Sequence, residues 1–335
     1  MDNQVDFQFV LDALLNKDAP FPPTLLYELS SIQPDEINSL TAVWPEIMLE
    51  RRRALLEDLE SLTERDNLLD FDDIGRIALQ DPDAQICINA MRLLWQAEDK
   101  HLVPQLIDFL KTHSEESVRA AAALALGPYV YLGEIDKLPA KLLHEIEEEL
   151  LHAARQDPSE LVRQRALESL GYSGRPEVPT ILQAAYDSEE IAWLESALSA
   201  MGHSADDKWE PAVIKKLDHP DLSVQLAAVH AAGELMLDRA RGHLLDMIEE
   251  EIFDEDLHTE VVWALSQIGG EGVRTAFETL IEMTKDPDET DLLEDALDNL
   301  SFSEDEILFD LMDIDPENQD DDDYDIDFDE DEFDF

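Results

Sequence analysis

The sequence predicts an all-α chain: a solenoid of about seven stacked helix pairs, with a helical cap ahead of it and an acidic tail behind it. Three observations predict this. One helical pattern recurs along the chain at a period near 34 residues, and alanine stands at the centre of nearly every copy. Little of the sequence shows the β-branched alternation that strands require.

The copies begin "DPDAQICINAMRLLW" at Asp81, "HSEESVRAAAALALG" at His113, "DPSELVRQRALESLG" at Asp157, "SEEIAWLESALSAMG" at Ser188 and "HPDLSVQLAAVHAAG" at His219; two weaker ones end at Ser266 and Ser301. Their first core column reads Ile86, Val118, Val162, Trp193, Val224, Leu257 and Leu292. The middle column reads Ala90, Ala122, Ala166, Ala197, Ala228, Val261 and Ala296, and the last Leu94, Leu126, Leu170, Met201, Ala232, Leu265 and Leu300. Positions i, i+4 and i+8 lie along one stripe of an α-helix. Each copy therefore buries one face, and a small residue at its middle lets a neighbouring helix approach closely. Stretches such as "FDDIGRIAL", "KHLVPQLIDFL" and "PEVPTILQAAY" lie between copies and are long enough to be partner helices. The longest spacing, 44 residues, is read as a loop, "PYVYLGEIDKLP", ahead of an extended helix.

Residues 1–70 do not repeat the motif and are read as the helical cap. Pro22, Pro34 and Pro45 fit first helical turns. "PEIMLERRRALLEDLESL" is a longer amphipathic helix with Arg52 in its apolar stripe, where it either pairs with a nearby acid or meets a carboxylate ligand. The solenoid then spans 71–312 and the tail 313–335.

The motif "DP..VR..A...LG" resembles HEAT repeats, in particular the short phycobilisome-lyase-like form. The resemblance implies an α-solenoid in a group that includes scaffolds, adaptors and a few enzymes. The family's arginine is present as Arg119 and Arg163, while the same column holds Cys87, Leu194, Gln225, His258 and Leu293 elsewhere. Enzymes of similar build set requirements that these residues can be held against. Deoxyhypusine hydroxylase needs several His-Glu pairs for two irons, and only His144-Glu145 is present. HEAT-like DNA glycosylases need a basic groove. Bilin lyases leave an accessory-enzyme reading open.

Charge narrows the partners. There are 81 acids against 23 Lys and Arg, a net of −58, and 25 of the acids follow the last basic residue, Lys285. Such a chain repels phosphate backbones and anionic membrane surfaces, so neither direct nucleic-acid binding nor membrane binding is expected. Basic protein partners fit it, as does a purely solubilising surface, and an acidic chaperone or nucleic-acid mimic is an alternative. No leader and no apolar span is read, which places the protein in the cytoplasm. Cys87, the single cysteine, is a core residue on this reading. No cofactor or metal is expected: the nine histidines are scattered, and His113 and His219 precede repeat helices as caps.

The resulting expectation is a non-catalytic scaffold or adaptor. Its partner-binding residues project two positions either side of the alanine column. There Arg92, Leu226, His230 and Trp263 are the candidates, accompanied by Ile88 and Leu124. The tail "DIDPENQDDDDYDIDFDEDEFDF" is expected to be disordered, with Phe328, Phe333 and Phe335 as further contact residues.

Overall fold

The repeated stripe of small residues governs how the helices stack. The computed structural model describes residues 6–66, 68–249 and 254–311, and every regular element among them is helical. The chain divides into two compact units, Met1–Ile268 and Gly269–Phe335. The first opens with α1 (Phe7–Leu15), α2 (Pro34–Val43) and α3 (Leu49–Arg65). Pairs follow: α4 (Asp72–Ala78) with α5 (Ala84–Leu93), then α6 (Val103–Thr112) with α7 (Glu116–Ala125). After α8 (Gly127–Glu134), α9 (Ala140–Gln156) pairs with α10 (Glu160–Leu170) and α11 (Val178–Tyr186) with α12 (Ile191–His203). The short α13 (Glu210–Ile214) pairs with α14 (Leu222–Glu234), and α15 (Arg241–Glu249) with α16 (Glu255–Ile268). In the second unit α17 (Val273–Met283) packs on α18 (Pro287–Leu311), the seventh pair among the described residues.

The second helices of the first unit, α5, α7, α10, α12, α14 and α16, pack consecutively into one layer. The alanine column is buried throughout it, with Ala166 at 0 % exposure, and so is the last core column. Glycine completes the close approach. A Cβ on Gly171 would lie 2.5 Å from the carbonyl oxygen of Ala200, and one on Gly233 would lie 2.5 Å from Trp263 Cζ3 and 2.9 Å from Ala264 Cα. These glycines admit the backbone of the next helix rather than a special φ.

Two members of the first core column differ from expectation. Trp193 is only half-buried, its indole N–H donating to Glu160 Oε1 at 2.6 Å, and Leu194 fills the core instead. An indole exceeds the space that Val162 or Val224 occupies between closely spaced helices, so it turns to the edge. Leu292 is likewise half-buried, and Leu293 takes its place.

The residues that open these five copies share one task. Asp81, His113, Asp157, Ser188 and His219 each accept a hydrogen bond from the backbone N–H two residues on, at 2.8 to 3.3 Å. The two histidines thus order the turn before a repeat helix, while the N-caps themselves are Glu115 and Asp221. The arginine column answers the carbonyls of the same turn: Arg119 donates to His113 O, Arg163 to Asp157 O, Cys87 to Asp81 O and Gln225 to Leu217 O. Arg119 also grips Asp157 through two bonds of 3.0 Å, tying α7 to the following repeat. Cys87 is buried, and burial pushes its thiol up to about 11.

The segment read as a loop contains a helix, α8. Pro128 stands in its first turn, where no N–H is missed, and Gly133 packs against Leu143 where a Cβ would lie 2.6 Å from Cδ1. Tyr129 is buried and its hydroxyl donates to Ala97 O and Asp99 O. In the N-terminal helices Arg51 donates to four carbonyls at and beyond the end of α1, of Ala13, Leu14, Asn16 and Ala19. Arg52 takes the first of its two expected roles, pairing with the buried carboxylate of Asp81, which also accepts from the Trp44 indole at 2.8 Å. The expected tail, with Phe328, Phe333 and Phe335, lies outside the described residues.

Gly171→Ala is expected to lower the thermal midpoint, since overpacking costs about 1–3 kcal/mol. Gly242→Ala, where nothing lies within 4 Å of the new methyl, is expected to raise it by reducing unfolded-chain entropy. Equal midpoints for the two variants would remove close helix approach as the reason for the glycine column.

Candidate functional site

A helix that buries i, i+4 and i+8 projects the positions two either side of i+4 away from its core. On the second-helix layer these columns line two grooves. The first, about 330 Å³, crosses α5, α7 and α10 and includes Ile88, Arg92, Trp95, Leu124, Leu161 and Arg165. The second, about 470 Å³, crosses α12, α14 and α16 and includes Ser199, Leu226, His230, Asp256, Thr259 and Glu260. Arg92 is thereby placed on a different groove from Leu226 and His230. Trp263 joins the second group by stacking on His230, with ring centroids 4.5 Å apart and planes 12° from parallel. Ile88, Leu124, Leu226, His230 and Trp263 are all half-buried, and Arg92 is exposed.

Between the grooves, the same columns turn inward on α10. Gln164 and Glu168 are buried, and Glu168 accepts from Arg165 Nη1 at 2.6 and 2.7 Å and from Ser196 Oγ at 2.7 Å. Its own carbonyl lies 3.0 Å from His203 Nδ1. A buried carboxylate so partnered pins α10 to α12.

His230 is the electrostatic centre of the second groove. Its Nδ1 is 2.7 Å from Glu260 Oε1, and its Nε2 is 3.6 Å from Glu234 Oε1. Burial opposes protonation and is the largest single influence, but the two carboxylates together outweigh it and hold the imidazole at about 9. Glu234 Oε1 also faces His203 Nε2 at 3.7 Å, and His203 stacks on Tyr172 at 4.2 Å. Tyr172 meets Tyr131 edge-on at 6.0 Å, and burial pushes its hydroxyl up to about 12. A row of rings and carboxylates thus runs along the ends of the second helices. Gly202 makes room for it, because a Cβ there would collide with Glu234 Oε2.

Sequence reasoning missed Glu234, Glu260, His203 and Tyr172. The signal for Glu234 was present, since His230 and Glu234 stand at i and i+4 on one helix. Glu260 belongs to the next repeat, and only stacking brings it to the ring. Among the described residues no group of His, Cys, Asp and Glu is placed to hold a metal ion, and no helix is long and apolar enough to cross a membrane.

No protein-family model and no curated protein sequence matches the chain. Solved structures do. The CpcE–CpcF complex of phycocyanin lyase from Nostoc is 19% identical over 68% of this chain and 94% of that one, with a TM-score of 0.44. The Escherichia coli protein YibA is 14% identical over 85% of this chain and 98% of that one, at 0.40. Importin beta is 14% identical over 88% of this chain and 46% of its own length, also at 0.40. At such identities and TM-scores none of these likenesses carries an argument about function.

His230 is expected to stay protonated through neutral pH and to titrate near 9 when its ring carbons and nitrogens are followed by NMR. A folded-state pKa above the unfolded value means that its contribution to stability is complete below about 6.5 and lost as pH rises through about 9. An imidazole titrating near 6.5 would contradict the two-carboxylate geometry.

Proposed function

We propose that the protein is a non-catalytic scaffold or adaptor whose α12–α14–α16 groove holds a basic segment of a protein partner. The observation that carries this reading is half-buried Leu226 beside His230, the latter stacked on Trp263 behind it, in a groove whose lining also holds Asp256 and the His230-paired Glu260. Aromatic side chains supply most binding energy in such settings, and a carboxylate rim in a chain of net charge −58 attracts cations. No chemical step is assigned to the groove. A protonated imidazole held between two carboxylates offers no free lone pair to a proton or a metal. The aspartates of residues 313–335, with Phe328, Phe333 and Phe335, support a second contact with the same basic partner. The cytoplasmic setting expected from the sequence is part of the same proposal.

The test begins with affinity purification from the source cell, with and without residues 313–335, followed by titration of the purified partner. Trp263→Ala is expected to weaken binding by about 2 kcal/mol or more, and added salt to weaken it further. Trp263 also covers Gly233. Asp256→Lys, a change at an exposed position in the first turn of α16, is therefore the companion variant and is expected to weaken binding at a stability cost of only about 1 kcal/mol. Full-strength binding by Trp263→Ala combined with Leu226→Ala removes the groove from the reading.

A further inference from the structure

The first groove has the opposite character. Acids make up 81 of the 335 residues, yet none of the twelve described residues lining the α5–α7–α10 groove is acidic, and two are arginines. Arg92 is exposed and forms no ion pair with a described residue. Arg165 engages Glu168 through Nη1 alone, which leaves its Nε and Nη2 to another acceptor. Beside these cations the surface is apolar. Trp95 is 47 % exposed and Leu161 37 %, with half-buried Ile88 and Leu124 between them. Ala120, Ala121 and Ala125 keep the floor low, so a bound main chain meets no bulk there. Arg92 and Trp95 also border a neighbouring depression toward α3, about 320 Å³, where Glu60 is the one acid among the described residues.

An acid-free, arginine-bearing apolar groove on so acidic a protein selects its occupant by charge. A basic segment would meet repulsion at Arg92 and find no carboxylate to pair with. A segment alternating carboxylates with large apolar side chains would pair with the guanidinium, whose planar fork suits a carboxylate, and lay its apolar groups on Trp95 and Leu161. Net repulsion by the whole chain acts at long range and is strongly screened at physiological salt, whereas pairing at contact distance is screened less. We propose that the α5–α7–α10 groove binds an acidic, apolar-rich segment of a partner protein, at a site separate from the acid-rimmed groove.

The experiment uses the full chain and a fluorescein-labelled synthetic peptide alternating Glu with Leu and Phe, followed by anisotropy at about 0.15 M salt. A Glu-to-Lys version serves as the counter-probe. The acidic peptide is expected to bind. Arg92→Glu and, separately, Trp95→Ala should each raise its Kd about tenfold or more, while Asp256→Lys on the other groove leaves it unchanged. Both altered side chains are exposed, so the thermal midpoint should hold. Absence of binding, or binding indifferent to both substitutions, overturns the proposal, as does equal Arg92-dependent binding of the Lys version. Two further results would assign the groove elsewhere and overturn it too. One is peptide binding seen only after residues 312–335 are removed, which points to the chain's own acidic end. The other is a concentration-dependent dimer dissolved by Trp95→Ala, which points to a second copy.

Discussion

Close contact between successive second helices, made through alanine and glycine, is the constraint on which the rest of the first unit depends. Ala90, Ala122, Ala166, Ala197 and Ala228 are all fully buried, and Gly171 and Gly233 leave no space for a methyl group. At that spacing a side chain on one helix reaches partners on the next. Ser196 reaches Glu168, His230 reaches Glu260, and Trp263 lies over Gly233 and against His230. Larger residues in the column would separate these groups, and with them the grooves. The same spacing excludes Trp193 from the core position that its repeat assigns to it.

Electrostatics is organised on top of that layer. In a chain with so few cations, most of the arginines have fixed structural work. Arg51 gathers carbonyls around the end of α1, Arg52 and Arg53 hold Asp81 and Asp83, and Arg119 holds Asp157. Arg52 and Asp81 form a buried pair. Losing either partner would strand a charge in the core at a cost of about 3–5 kcal/mol. The two grooves differ for that reason: Arg92 has no ion-pair partner among the described residues in one, while His230 is held protonated between carboxylates in the other. Two grooves on one helix layer thus present opposite chemistry.

Most of the layer was legible in the sequence because its determinants are local and periodic. Alanine at the middle of the stripe, glycine or serine at the end of most copies, and an acceptor at the head of the turn recur within each copy, and the structure uses them in register. The side chains that fall outside that reading are set by size or by stacking. Trp193 and Leu292 lie on the right helices but give their core places to the next residue; for Trp193 the indole is too large for the closely packed position, and for Leu292, replaced by another leucine, the helix of that weaker copy is turned by one residue. α8 lies in the segment read as a loop because it carries the longest spacing between copies, yet Pro128 is harmless in a first turn and Gly133 is required by Leu143. The separation of Arg92 from Leu226, His230 and Trp263 was invisible, since one column in sequence becomes two grooves once Glu168 turns inward.

If close contact is local and each second helix depends on its neighbours, then disturbing one column position must disturb those neighbours and no others. Hydrogen–deuterium exchange on Ala197→Leu measures this directly. Ala197 is fully buried on α12 between α10 and α14. The expected result is faster amide exchange in α10, α12 and α14 with protection retained in α5 and α7. Exchange that rises uniformly across all six second helices, or does not change anywhere, would contradict the account.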